Sequence, residues 1–515
     1  MTDVARGSEL ESPGEPARAP WPGRWLDFRP LAAEAPVRFS WPVFALFLIL
    51  CVAVNYPGRL NEDSLEQLAG AADRASLTDV HSPLVAWIWN LPAPALGQPA
   101  GALLVQGLLL AFYAAMVPAA LPRGARGLAA LAIEIVFKLA LVVSAGFIIK
   151  DILLVGLLLA ALAAAQRARS GPRTGLWLAA AAVLLALSLF VRPTNFVMVG
   201  TAAALVLALH ARSVRTYCVS LFAVGALLLI SLSIYFGFNR YVARAHPGHA
   251  EIQLFLFDSA GMSARTGKDL FAQLAPWPKG LPDPRQCYTP SEAAIIASWA
   301  KCAGYAEAGS TINALGPRVL PRWWLINLLK HPRAYVEHRL TFTSNLLDPR
   351  EAARNHPVYG RLADRWQRHL YALNRPDQAA RFHEAARGRF ADREIGWWRG
   401  NRAADLFAAL GTIVFGFRWT EALSLLACAA VVAAGLRRRW RGRPQPFVAS
   451  AAAALGIGNV AMHALLGVAS QDRYLFPTVC CAAFALIAIL RARREGAGEL
   501  PEPLSISSHI PSRPL

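Results

Sequence analysis

Charge is scarce in this sequence. Asp, Glu, Lys and Arg make up 17% of its 515 residues, against about 25% in an average soluble domain. The scarcity falls on the acids, 33 against 52 basic residues, and leaves a formal net charge of +19. In a soluble chain that balance would point to nucleic acid. Here the arginines stand in short loops between apolar runs and 55% of residues are hydrophobic, so nucleic acid is set aside and a membrane protein is expected.

Other signals are also missing. Residues 1–40 are polar and rich in proline and arginine, unlike the basic, apolar, small-residue order of a cleavable leader, so the first apolar run is expected to remain as a helix. No nucleotide-binding motif is found in the short basic loops. No internal repeat of the kind common in transporters is found. Of seven cysteines only Cys287 and Cys302 lie in a polar segment; they are the disulfide candidates if that face is oxidising.

What is present is a series of apolar runs of membrane-spanning length, about 17 to 25 residues each. They fall near 39–56, 101–121, 127–147, 152–166, 175–191, 194–210, 216–238, 418–436, 446–469 and 474–490, and 404–416 reads as an extra interfacial helix. The fold class expected is therefore an all-α polytopic membrane protein with about ten transmembrane helices. Basic residues gather in alternate loops, at Arg123 and Arg126, Arg167 to Arg173, Arg212 and Arg215, and Arg437 to Arg443. The positive-inside rule makes these loops and both termini cytoplasmic. The order is then a cytoplasmic tail 1–38, a transmembrane module 39–238 with an outer loop 57–98, an extracytoplasmic insertion 239–403, closing helices in 404–492 and a cytoplasmic tail 493–515.

This topology puts the unusual polar residues outside, where the charge rule does not call for them. The first outer loop reads NYPGRLNEDSLEQ from Asn55 to Gln67, bearing Asp63, and then TDVHSPL, bearing Asp79 and His81. Asp63 and Glu66 also fit a capping box, and Ser82 and Pro83 a helix start. Lys150 and Asp151 follow in FIIKDILL, where Asp151 could simply cap a helix and Lys150 snorkel to the interface. Arg192 stands in FVRPTN, and Asp472, Arg473 and Tyr474 in SQDRYLFP, a tyrosine that equally suits an interfacial aromatic belt. In the insertion, Pro321 to Tyr335 reads as an amphipathic interfacial helix, and 350–400 as charged, aromatic and helical.

In order and placement these elements resemble the integral-membrane glycosyltransferases of the C-type (GT-C) fold, which include protein O-mannosyltransferases and aminoarabinose transferases. The stretch around Asp63, Asp79, His81 and Pro83 is similar to that family's acidic first outer loop, Lys150 and Asp151 to its second acidic element, and Asp472 to Pro477 to a motif near the last helix. The match covers helices one to seven best; the insertion has no counterpart. The resemblance implies transfer of a sugar from a polyprenyl-phosphate donor to an extracytoplasmic acceptor at a bacterial inner membrane. Asp63 would be the base and Asp151 its orienting or metal-binding partner. Lys150, Arg192 and Arg473 would hold phosphate, with Asp79, His81, Asp472 and Tyr474 as further substrate-binding residues. A divalent ion on Asp63, Asp79, His81 and Asp151 is left open. The alternatives are a transporter or flippase of an envelope precursor, to which Glu134 and Lys138 four apart in one apolar run would contribute a proton relay unless they merely neutralise each other, and a non-enzymatic scaffold.

Overall fold

In hydrocarbon a backbone must satisfy its own N–H and C=O groups, so each apolar run has one favourable conformation, the helix. A computed structural model describes residues 35–56, 58–60, 63–64, 67–68, 70, 77–97, 99–120, 124–170, 173–247, 251–274, 288–290, 316–347, 420–441, 446–468 and 472–492. The helices are α1 (Trp41–Asn55), α2 (Pro83–Asn90), α3 (Ala93–Leu96), α4 (Ala100–Ala114), α5 (Gly124–Ser144), α6 (Lys150–Ser170), α7 (Thr174–Val191), α8 (Asn195–His210) and α9 (Val214–Gly237). They continue with α10 (Glu251–Thr266), α11 (Gly316–Lys330), α12 (Pro332–Leu347), α13 (Thr420–Trp440), α14 (Phe447–Leu466) and α15 (Asp472–Arg491). The protein is mostly helical. Among the described residues seven helices, α5, α6, α7, α9, α13, α14 and α15, are long and apolar enough to cross a membrane, and α1, α4 and α8 are shorter apolar helices. All ten apolar runs of the sequence thus form helices, and the fourth, expected over 152–166, extends to 150–170.

Two short ladders mark opposite ends of the bundle. The strands β1 (Val37–Phe39) and β3 (Met116–Pro118) pair antiparallel, while β2 (Arg59–Leu60) and β4 (Phe147–Ile148) pair parallel. Helix α6 runs through the middle, packed on α4, α7 and α15 and almost wholly buried. The last two helices return to close the bundle, α14 against α8 and α15 against α5 and α6. By contrast α9 leaves Phe222, Leu227, Leu229, Ile230 and Ile234 exposed, an apolar surface that suits lipid contact.

The described insertion packs as a second cluster. Phe257 of α10, Phe271 and Phe342 of α12 are fully buried there, together with Leu475 of α15 and Val460 of α14. The amphipathic stretch 321–335 is two helices, not one: α11 ends at Lys330 and α12 begins at Pro332, a proline at the first helical position, where it is favoured. Cys287, Cys302, 350–400 and 404–416 lie outside the described residues.

Helices α8 and α14 meet at small residues, and a Cβ on Gly458 would fall on the carbonyl of Met198. Gly458→Val is expected to cost about 1–3 kcal/mol, read as a lower thermal midpoint of the detergent-solubilised protein; an unchanged midpoint would contradict this packing.

Candidate functional site

The turn that delivers Lys150 and Asp151 joins the end of α5 to α6, and the last carbonyls of a helix need donors. They receive them from buried side chains. Asn55 Nδ2 donates to Val142 O at 2.6 Å and to Cys51 O at 2.9 Å. Gln106 Nε2 donates to Ala145 O at 3.1 Å and Phe147 O at 2.9 Å, and the Ser64 hydroxyl bonds Ile148 O. The end of α1, the middle of α4 and the Ser64 side chain therefore fix where α6 starts.

At that start an ion pair and a charge-assisted hydrogen bond form. Asp151, in the first turn of α6, lies 2.6 Å from Arg192 Nη2, with side-chain exposures of 1% and 11%. The neighbouring Lys150 Nζ is 2.9 Å from His81 Nδ1, an arrangement in which the ammonium donates and Nδ1 accepts. Arg192 in turn lies 4.9 Å over the ring of Tyr474, and Tyr474 stacks on His463 at 4.9 Å and 25°. The Tyr474 carbonyl accepts from Asn459 Nδ2 at 2.8 Å. Five segments thereby converge: the 77–83 loop and the ends of α6, α7, α14 and α15.

The pairing of Asp151 with Arg192 is close but incompletely aligned. Among the described residues Asp151 Oδ2 and Arg192 Nε have no hydrogen-bond partner, although both are buried. Each retains capacity for a further polar group.

The remaining sequence candidates sit around this point. Asp63 is half-buried on the turn next to Ser64, and its carbonyl accepts from Gln67 Nε2 at 2.9 Å. Asp79 N donates to His246 O at 3.0 Å and His246 N to Leu77 O at 2.8 Å, which ties the loop to the chain beyond α9. A recess enclosing about 220 Å³, part of it open to solvent, is lined by Gln67, Gly70, Leu77, Thr78, His81, Ser82 and Ala86. Asp472 and Arg473 begin α15, but their side chains, like Glu66, are outside the described residues. Among the described residues no three His, Cys, Asp or Glu side chains form a group able to hold a metal ion. Arg192 stands beside Asp151, and Lys150 beside His81.

Two charged clusters lie elsewhere. At the β1–β3 end, Lys138 Nζ is 2.7 Å from Glu134 Oε1, and Arg491 contacts the other carboxylate oxygen. The two groups neutralise each other as the bland reading held, with a third charge that the sequence does not reveal. In the insertion, buried Asp258 lies 2.5 Å from Arg339 Nη2 and 3.2 Å from His338 Nε2, and accepts from Trp324 Nε1 at 2.9 Å. His338 Nδ1 is 2.8 Å from the Tyr288 hydroxyl. Burial makes His338 harder to protonate, outweighing the pull of Asp258, and Arg339 and Arg265 push the same way. Burial also pushes Tyr288 up to about 12, so the phenol donates to a neutral imidazole. Sequence reasoning assigned none of these a role; a lone Asp258 in an apolar heptad was the available signal.

Comparison with family models, with curated proteins and with solved structures finds no match.

Breaking a buried ion pair strands a charge. Arg192→Gln alone is expected to cost roughly 3–5 kcal/mol and Asp151→Asn with Arg192→Gln much less, measured as a double-mutant cycle of unfolding in detergent; additive losses would mean the two are uncoupled. For His338 the folded group binds a proton less readily than its ordinary value of 6.5. The unfolded chain therefore takes up more protons as pH falls through that value, and stability present above it declines below. His338→Asn should shrink the drop in thermal midpoint between about pH 7.5 and about pH 5; equal drops in both proteins would contradict the assignment.

Proposed function

We propose that this chain is a polytopic glycosyltransferase of a bacterial inner membrane, moving a sugar from a polyprenyl-phosphate donor to an acceptor on the extracytoplasmic side. In this reading all ten apolar helices cross the bilayer, α1, α4 and α8 as short or tilted spans. The arginine-rich loops at the β1–β3 end face the cytoplasm with both termini. The β2–β4 end then faces outward. What carries the reading is the gathering of Lys150, Asp151, Arg192, His81 and Tyr474 at that one end, at the level where a lipid-borne phosphate meets water.

The chemistry follows from the side chains. The acceptor hydroxyl gives its proton to the Asp63 carboxylate while its oxygen attacks the anomeric carbon. The bond from that carbon to the phosphate oxygen breaks, and the electron pair leaves with polyprenyl phosphate. Arg192 keeps Asp151 with Nη2 and has Nε for a phosphate oxygen; Lys150 supplies a second cation, and Arg473 a third. Asp151 holds Arg192 in place. A transporter or flippase would place its charges along a path through the bundle, but Glu134, Lys138 and Arg491 are paired with one another at the opposite end.

Membranes carrying wild type, Asp63→Asn or Asp151→Asn are to be supplied with radiolabelled polyprenyl-phosphate sugars and native lipid extract. Transfer by wild type and a loss of about a hundredfold or more in Asp63→Asn at equal protein level is expected. No transfer by wild type would move the reading to transport.

A further inference from the structure

The insertion grips the bundle through one guanidinium. Arg339 of α12 donates through Nη1 to the carbonyl of Gly467 at 2.6 Å, while Nη2 lies 2.5 Å from Asp258 on α10. Asp258 is itself fixed by Trp324 and His338. The rings of Phe257, Tyr335 and Phe342 stand 5.7 to 5.9 Å from the guanidinium carbon. Arg339 is therefore held by a charge, an acceptor and three aromatic rings, and its only contact of these outside the insertion is Gly467.

Gly467 is the first residue after α14, and Phe342 and the His463 carbonyl occupy the space a Cβ would need there. Its N–H donates to His463 O at 2.7 Å. The His463 ring stacks on Tyr474 and Tyr474 underlies Arg192, the partner of Asp151. Across the turn, Asn459 of α14 holds the Tyr474 carbonyl. Both ends of the α14–α15 turn are thus clamped by buried groups, one end from the insertion.

We propose that Arg339, anchored by Asp258, is a positioning residue for the Asp151–Arg192 site: by holding Gly467 it fixes the end of α14, whose His463 and Asn459 seat Tyr474 beneath Arg192. The insertion then sets the geometry at the outward end without touching the reacting groups. Its consequence for transfer rests on the proposed function; the mechanical tie does not. Arginine suits this role because its fork reaches a carboxylate and a carbonyl at once, which a single ammonium does not.

Hydrogen–deuterium exchange of the full, detergent-solubilised chain tests the tie. Arg339→Lys keeps a cation beside Asp258 and loses the bridge. Amides at the start of α15 and those of Asn195, Phe196 and Val197, which close the turn after Arg192, should exchange on the order of tenfold faster, the loss expected for one charge-assisted hydrogen bond. Exchange in α4 and α5 should be unchanged. Gly467→Ala, which displaces the turn directly, should give the same pattern and serves if the lysine variant folds poorly. Acceleration confined to α10, α11 and α12, or none in either variant, would overturn the proposal. Asp63→Asn, inactive under the proposed function, should exchange like wild type, so a failed transfer assay and a failed tie are told apart. If transfer occurs, Arg339→Lys should lower kcat/KM for the donor, and Arg339→Gln should lower it further.

Discussion

Two opposite charges buried at the end of a bundle must stay together, because neither has water to return to. Asp151 and Arg192 are in that position. The loss of solvation of each ion is repaid only when the partner is close and the rest of its polar atoms are served. This requirement sets the geometry around them. The start of α6 has to meet the turn between α7 and α8, and Asn55, Ser64 and Gln106 place the α5–α6 turn so that it does. Tyr474 then covers the guanidinium's face, bringing α15 to the same point. A pair with unused oxygen and nitrogen atoms in such a place is costly to keep as a mere brace, which is why we read it as a binding site.

The two ends of the bundle use charge differently. At the β1–β3 end Glu134 is met by both Lys138 and Arg491, and Arg167 donates to Val37 O at 2.8 Å, so charges there lock helix ends to the terminal ladder. At the other end Asp151 pairs with Arg192, and a second charged network in the insertion reaches the end of α14 through the Gly467 carbonyl. One end is fastened, and the other is held in register from a distance.

Much of this was legible in the sequence. The ten runs form helices, seven of them long enough to cross a membrane, because apolar surroundings leave a backbone no other way to satisfy itself locally. The fourth was read short because Gln166, Arg167 and Arg169 end its apolar pattern, yet the backbone continues with arginine side chains at the bundle edge. Lys150, Asp151 and Arg192 stood out because charge beside an apolar run is costly. Their partners did not, since which helix ends meet is decided by packing between distant segments. The Asp258–His338 contact joins residues 80 positions apart in a stretch whose polarity looks ordinary for an outer loop, so nothing local announced it.

The central claim is that polyprenyl phosphate is handled at the β2–β4 end. A polyprenyl-phosphate analogue with a photoreactive group beside the phosphate, irradiated with the purified chain and followed by peptide mapping, tests it most directly. The account predicts label on peptides covering 77–90, 150–155 and 192–198, competed by unlabelled polyprenyl phosphate and lost in Arg192→Gln. Label gathered instead on peptides carrying Tyr113, Glu134 and Arg491 would contradict it.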